Sequence, residues 1–302
     1  MSERGPRAKL QDAVRQVRWS ARKILRRQLR ITVEMRWRLG DEIMAIPIYE
    51  AIKRRHPFCF LSVISNHPDL LFRNPYVDEV LGPNDRVGTC DRYIVLRGAP
   101  RERVRIEHYA TVAGVPVPLQ NPRLYYDDWR SAFSEHPDLQ SKQFIVVCTG
   151  GTWQTKRWPA AHWQSLCAAL ARDGERIVQL GGDDLAAGAA LDLRGKTSIR
   201  EAACILRAAR LLISTDTGLM HLALAVGTPV LALFGPTDPR MLVRDHSLLV
   251  ALTNTRDCHG CWNHAPTATR EGVCPLQIDS CMGALAADVV LAKAREMLGN
   301  GA

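Results

Sequence analysis

Asp216, Thr217 and Gly218 stand where an apolar run, "LLIST", gives way to a helical one, "LMHLALAVG". In an open parallel sheet such a junction is the carboxyl end of a strand and the start of a helix. Free backbone N–H groups and the positive end of the helix dipole receive anions there. Gly218 lets a phosphate come close to the backbone, and Thr217 adds a hydroxyl. Asp216 would repel an anion, so it suits sugar hydroxyls or a plain helix cap. His221, one turn further in, is either a ligand-facing residue or a satisfied core histidine. A second loop, "GGTWQTKRWP", follows the run "FIVVCTG" and carries Thr152 and Lys156. Lys156 is a mobile point charge that fits a diphosphate, or else a solvated surface lysine. The spacing is not that of GxxxxGK[ST], and no GxGxxG follows the first strand. In a third stretch, "RLGDEIMAIP", Asp41 lies just past the first strand. A carboxylate there can act as general base on a hydroxyl, or simply hold a turn.

Late in the chain Cys258, Cys261, Cys274 and Cys281 follow a C-x2-C, twelve-residue, C, six-residue, C spacing. Two thiolates from one turn and two from a nearby segment complete a tetrahedral sulfur site for zinc or iron. Four ligands leave no open position, so the metal expected there is structural and no catalytic metal is expected. The other reading is ordinary or redox-sensitive thiols. Nine cysteines without a secretion signal suit a reducing compartment. The remaining five, Cys59, Cys90, Cys148, Cys167 and Cys204, stand in apolar contexts as small buried hydrophobes.

Alternating strand and helix patterns must position these loops. "LRITVEMRW" reads as a strand, "LGDEIMAI" as a loop, and "PIYEAIKRRHP" as a helix with Pro47 at its first position. "CFLSVIS" and "RYIVL" are strands, and "RVRIEHYATVAGV" is a helix ending near Gly114. Periodicity breaks between about Pro116 and Lys142, where the domain boundary is expected. A second series runs "FIVVCTG", "AAHWQSLCAALARDG", "RIVQLGG", "SIREAACILRAA", "LLIST", "LMHLALAVG" and "VLALFG", with "LAADVVLAKAREML" as the last helix. Such alternation predicts parallel, doubly wound sheets in two α/β domains facing across a cleft.

The net charge of +9 is concentrated. Residues 1–30 hold ten Lys/Arg against Glu3 and Asp12, a net of +8, so the body is nearly neutral. A nucleic-acid platform is therefore not expected. Within that arm Leu10, Val14, Val17, Ala21, Ile24, Leu25 and Leu29 form one apolar stripe. A basic amphipathic helix of this kind suits an anionic membrane surface, or docking on its own domain. No apolar run reaches the roughly 20 residues of a membrane span, and no signal-peptide pattern opens the chain.

In order and wording these motifs resemble the ADP-heptose:lipopolysaccharide heptosyltransferases, glycosyltransferase family nine. The resemblance covers roughly residues 31–298. It rests on "LGDEIMAIPIYEAIKRRHP", "NPYVDEVL", "GGTWQTKRWPAAHWQSL", "VQLGGDD" and, above all, "GKTSIREAACILRAARLLISTDTGLMHLALAVGTPVLALFGPTDP". It implies a GT-B architecture, two Rossmann-like domains facing across a cleft. Residues 31–135 form the acceptor side. Residues 140–285 form the nucleotide-sugar domain, with a cysteine-rich loop at 256–282 and a terminal helix at 284–298. The implied reaction is an inverting, metal-independent transfer from ADP-heptose to lipopolysaccharide core on the cytoplasmic face of the inner membrane. By motif match Asp41 is the general base, and Lys156 and Thr152 hold the diphosphate. Asp216, Thr217 and Gly218 contact the donor, and His221 matches the same motif. Related protein heptosyltransferases carry a metal-binding cysteine cluster in the tail. Asp183 and Asp184 are both candidates for the acidic residue that holds the adenosine ribose. The arm at 1–30 lies outside the family pattern. Other readings are a different nucleotide sugar, a protein or small-molecule acceptor, a nucleotide-sugar epimerase, and a non-catalytic binding protein on the same fold.

Overall fold

A computed structural model of the chain describes residues 28–299, apart from 99, 101, 127–132, 134–135, 142, 152, 183–186, 244–245, 254–257, 265–273 and 275–280. Most of the basic arm, together with Thr152, Asp183 and Asp184, thus lies outside the described residues. The strands form two parallel sheets. The first contains β1 (Arg30–Met35), β2 (Phe60–Ser65), β3 (Glu79–Leu81) and β4 (Arg92–Val95), in the order β3-β2-β1-β4. The second contains β5 (Phe144–Cys148), β6 (Arg176–Gln179), β7 (Leu191–Asp192), β8 (Leu212–Thr215), β9 (Val230–Phe234) and β10 (Leu249–Thr253). Its order is β10-β9-β8-β5-β6-β7. The central strands β5, β8 and β9 are buried along their whole length, which is why they read as unbroken apolar runs. β3 and β7 are too short to show a pattern, and β10, partly exposed throughout, is a further strand that the sequence pattern does not announce.

Helices connect the strands: α1 (Leu39–Arg55), α2 (Arg105–Ala113), α3 (Ala160–Arg172), α4 (Ile199–Ala208), α5 (Gly218–Val226), α6 (Pro239–Leu242), α7 (Cys261–His264) and α8 (Ala287–Leu298). α1 corrects the expectation for "LGDEIMAI". That stretch is helix rather than loop, and Pro47 lies inside the helix instead of opening it. A proline there removes a backbone bond and costs about 3 kcal/mol. Ile43, Ile46, Ile48 and Ile52 are all buried, and each contributes roughly 1.5–3 kcal/mol, so burial wins. Burial on nearly every side also erases the helical period that would have announced the element. The consequence for function is that Asp41 is anchored in a first helical turn.

One apolar core joins the first sheet, α1 and α2 to the face of the second sheet that packs on α4 and α5. A second core fills the opposite face, under α3 and α8. In both sheets the strand order reverses, between β1 and β4 and between β5 and β8. Ligands of open parallel sheets bind outside the carboxyl ends of strands at such reversals. Asp41 follows β1 in the first turn of α1, and Lys156 and Asp216 lie in the segments that leave β5 and β8. Among the described residues no helix is long and apolar enough to cross a membrane.

Candidate active site

Two glycines let the two halves meet. A Cβ on Gly40 would lie 2.8 Å from His221 Cδ2, and one on Gly218 would lie 2.9 Å from Leu39 Cβ. The N-termini of α1 and α5 therefore abut, one from each half. The sequence suggests that Gly218 makes room for a phosphate; the room it makes is filled by Leu39. Thr217 caps α5, its hydroxyl accepting from the Met220 backbone N–H at 3.4 Å and lying 3.2 Å from Ser214 Oγ.

Asp41 faces this junction from α1. Its Oδ1 accepts a hydrogen bond from Tyr109 Oη at 3.0 Å and lies 3.7 Å from Arg105 Nε. Neither contact uses Oδ2. Arg105 and Tyr109 are one turn apart on α2, so a single helix face supplies both. Burial pushes the Asp41 carboxyl above its usual range, and Asp216 adds to that. Arg105, Tyr109 and Lys156 pull it back only in part. Burial, followed by the Asp41 charge, pushes the Tyr109 hydroxyl far up, so it remains a donor.

Glu42, the next residue, holds the local backbone. It is 3% exposed and accepts from the backbone N–H groups of Trp37 and Asn66, both at 3.1 Å, and of His67 at 3.3 Å. It also accepts from the Ser65 hydroxyl. The loops after β1 and β2 are thereby tied to one buried carboxylate, and Asp41 inherits a fixed backbone.

Across the junction Lys156 Nζ donates to Asp216 Oδ2 at 2.5 Å, and Thr237 Oγ1 donates to the same oxygen at 2.8 Å. Burial alone would raise the Asp216 carboxyl; Lys156, then His221 and the Thr237 hydroxyl, outweigh it and hold the group below its usual range. Burial lowers His221 to about 4 against the pull of Asp216, so the imidazole is neutral at neutral pH. Lys156 is therefore the cation that balances Asp216. Its ammonium also sits 4.4 Å from the centroid of the Trp153 ring. The Thr215 hydroxyl donates to the Gly150 carbonyl, joining the loop after β5 to the end of β8.

Asp41, Lys156, Asp216, Thr217, Gly218 and His221 are thus brought to one place, while Thr152 lies outside the described residues. Arg105, Tyr109, Glu42, Trp153 and Thr237 join the site without being marked by the sequence pattern, although Trp153 and Thr237 stand inside quoted motifs.

This geometry can be compared with known proteins. The model of glycosyltransferase family 9 (heptosyltransferase) matches residues 101–267, more than half of the chain. The chain belongs to that family. Lipopolysaccharide heptosyltransferase 2 of Escherichia coli K12 is 31% identical over 146 residues, 43% of this chain and 42% of that protein. The chain therefore aligns with less than half the length of its curated relatives. The solved structure of E. coli ADP-heptose lps heptosyltransferase II superposes with a TM-score of 0.68 at 20% identity, over 90% of this chain and 98% of that one. The dodecameric iron-containing heptosyltransferase TibC, in complex with ADP-D-beta-D-heptose, superposes with a TM-score of 0.74 at 18% identity, over 91% and 77%. These likenesses give the fold: the α/β, GT-B arrangement of two Rossmann-like domains that characterises this glycosyltransferase family.

The cysteine cluster lies beside the same site. Burial, then Cys261, Cys258 and Cys274, pushes the Cys281 thiol up to about 11. Burial, then Cys258 and Cys274, also raises Cys261. The Cys261 N–H donates to the Cys258 carbonyl at 3.1 Å, and Gly235, whose carbonyl accepts from the Gly260 N–H, lies against Cys281. Among the described residues, however, no group of three or more His, Cys, Asp or Glu side chains is arranged to hold a metal ion.

Proposed function

We propose that this chain transfers a heptosyl group from ADP-heptose to a hydroxyl of an acceptor such as lipopolysaccharide core, with inversion at the anomeric carbon. The observation that carries the reading is the meeting of Asp41 with the Lys156–Asp216 pair. The start of α1, which carries Asp41, packs against the start of α5, which follows Asp216: Gly40 lies against His221 and Gly218 against Leu39.

In this reading Asp41 Oδ2 takes the proton of the acceptor hydroxyl while Tyr109 and Arg105 hold Oδ1. The acceptor oxygen forms its bond to the anomeric carbon as the bond from that carbon to the diphosphate oxygen breaks. ADP leaves with the electron pair, and Lys156 meets the growing negative charge. Asp216 then has two tasks, anchoring Lys156 and accepting from sugar hydroxyls. The neutral His221 supplies a donor that adds no charge to the pocket. Two structural neighbours, one named for ADP-heptose and one in complex with it, support ADP-heptose as donor. A protein or small-molecule acceptor fits the same chemistry.

Thermal unfolding across ADP, UDP, GDP, CDP and CMP tests the reading. ADP at about 100 times its Kd is expected to add roughly 2.7 kcal/mol of stability, with little from the others. A shift with another nucleotide alone discards the adenine donor. No shift with any of them removes the transferase reading.

Cys258, Cys261, Cys274 and Cys281 are the proposed holders of a structural zinc or iron, four soft donors whose spacing in the sequence suits one ion. When bound, the metal would cross-link the tail segment and displace thiol protons. Elemental analysis of protein purified without chelators is expected to find about one zinc or iron per chain, reduced when Cys258 and Cys261 become serine. A folded, metal-free preparation dismisses the site.

A further inference from the structure

The segment Cys258–His264 carries more than cysteines. The Gly260 N–H donates to the Gly235 carbonyl at 2.9 Å and the Trp262 N–H to the Pro236 carbonyl at 2.8 Å. The buried Asn263 side chain accepts from the Asp238 N–H at 2.8 Å. A Cβ on Gly235 would lie 2.8 Å from Cys281 Sγ. The cysteine segment therefore grips the loop after β9, which presents Thr237 to Asp216. The Trp262 ring also meets the Trp153 ring edge-on, centroids 4.5 Å apart and planes at 64°. Trp153 is the ring over which the Lys156 ammonium sits. A chain of contacts thus runs from the cysteine segment to the Lys156–Asp216 pair by two routes, one aromatic and one through backbone.

We propose that Trp262 is a positioning residue of the nucleotide seat, fixing the Trp153 ring and through it the Lys156 ammonium. The physical reason is the geometry of the contact. An indole held edge-to-face by a second indole has one preferred orientation, and a cation is attracted only to its face. Without Trp262, Trp153 is free to rotate, and Lys156 loses one of the two groups that define its place. The cysteine segment is in this way part of the donor site, since it carries Trp262. The proposal rests on the reading of Lys156 as the diphosphate-binding cation.

A double-mutant cycle on the full chain tests it, with ADP as ligand and Kd measured by calorimetry. Trp262→Ala is expected to weaken ADP binding about threefold to tenfold, the range of one aromatic contact. Trp262→Phe, which keeps an aromatic edge, is expected to restore most of the affinity. In a Lys156→Ala background Trp262→Ala is expected to have no further effect. The same weakening in both backgrounds overturns the proposal, because Trp262 would then act without Lys156. If Lys156→Ala itself leaves ADP affinity unchanged, the diphosphate reading fails first and the proposal with it. Should Trp262→Ala not fold, Trp153→Leu enters the same cycle and must show the same coupling to Lys156. Independence there is equally decisive against it.

Discussion

Replacing Asp41 with asparagine should lower kcat by about 10²–10⁴-fold, the range of general-base catalysis, and leave the Kd for ADP unchanged. The amide retains the size of the carboxylate and an acceptor oxygen for Tyr109, so the loss isolates the proton-taking role. Unchanged turnover would remove Asp41 from the mechanism. The pH dependence gives a second handle. The carboxylate is the active form, so kcat/KM falls as pH drops through the Asp41 pKa. Burial raises that pKa, and Asp216 raises it further. Arg105, Tyr109 and Lys156 oppose the rise, and His221 is already neutral. The acid limb should therefore lie above the ordinary aspartate range of about 3.9. Tyr109→Phe deletes one of the opposing influences, so the limb should move to still higher pH. A limb that stays put, with kcat reduced, would mean that the Tyr109 hydroxyl does not act on Asp41.

Why Asp41 can be picked from the sequence and Tyr109 cannot is a matter of range. Strands β5, β8 and β9 are buried apolar runs with turns at their ends, so the loops that follow them can be named from local pattern alone. The segments after the carboxyl ends of parallel strands then become the places to look, and Asp41 after β1, Lys156 after β5 and Asp216 after β8 all stand in such segments. Tyr109 and Arg105 sit on an ordinary amphipathic helix, and nothing local separates them from its other members. They matter because α2 packs beside α1, a contact made over 68 residues of chain for Tyr109 and Asp41. Glu42 is hidden for the same reason: it stands in a stretch that reads as a loop, whereas its partners include backbone groups 24 and 25 residues away. Gly218 carries the opposite lesson. A glycine at a helix start suggests a phosphate, yet the group that needs its missing side chain is Leu39. The start of α1 is masked by Pro47, a local breaker signal overruled by the burial of four isoleucines.

Removing Lys156 should have the second large effect, on folding as well as on binding. Asp216 and Lys156 have side chains only 6% and 16% exposed, so the pair is shielded from solvent. Lys156→Ala would leave Asp216 a buried carboxylate that keeps the Thr237 hydroxyl but has lost its cation. Breaking such a pair from one side costs about 3–5 kcal/mol, a large share of a typical domain's stability. The sign with pH follows from the lowered Asp216 pKa. A carboxylate whose folded pKa is depressed stabilises the fold above its unfolded value, about 3.9, and loses that contribution as pH falls through the folded value. The stability gap between wild type and Lys156→Ala in urea should thus be full near neutrality and narrow in acid. Changing both partners to neutral residues, Lys156→Met with Asp216→Asn, should recover much of the lost stability, since no buried charge remains unpaired. ADP affinity should not recover, because the diphosphate still lacks its cation. The double variant therefore separates the two roles of the pair. If Lys156→Ala unfolds at the same urea concentration as wild type, the ion pair does not support the fold. If it also binds ADP as tightly, the lysine has no part in the donor seat.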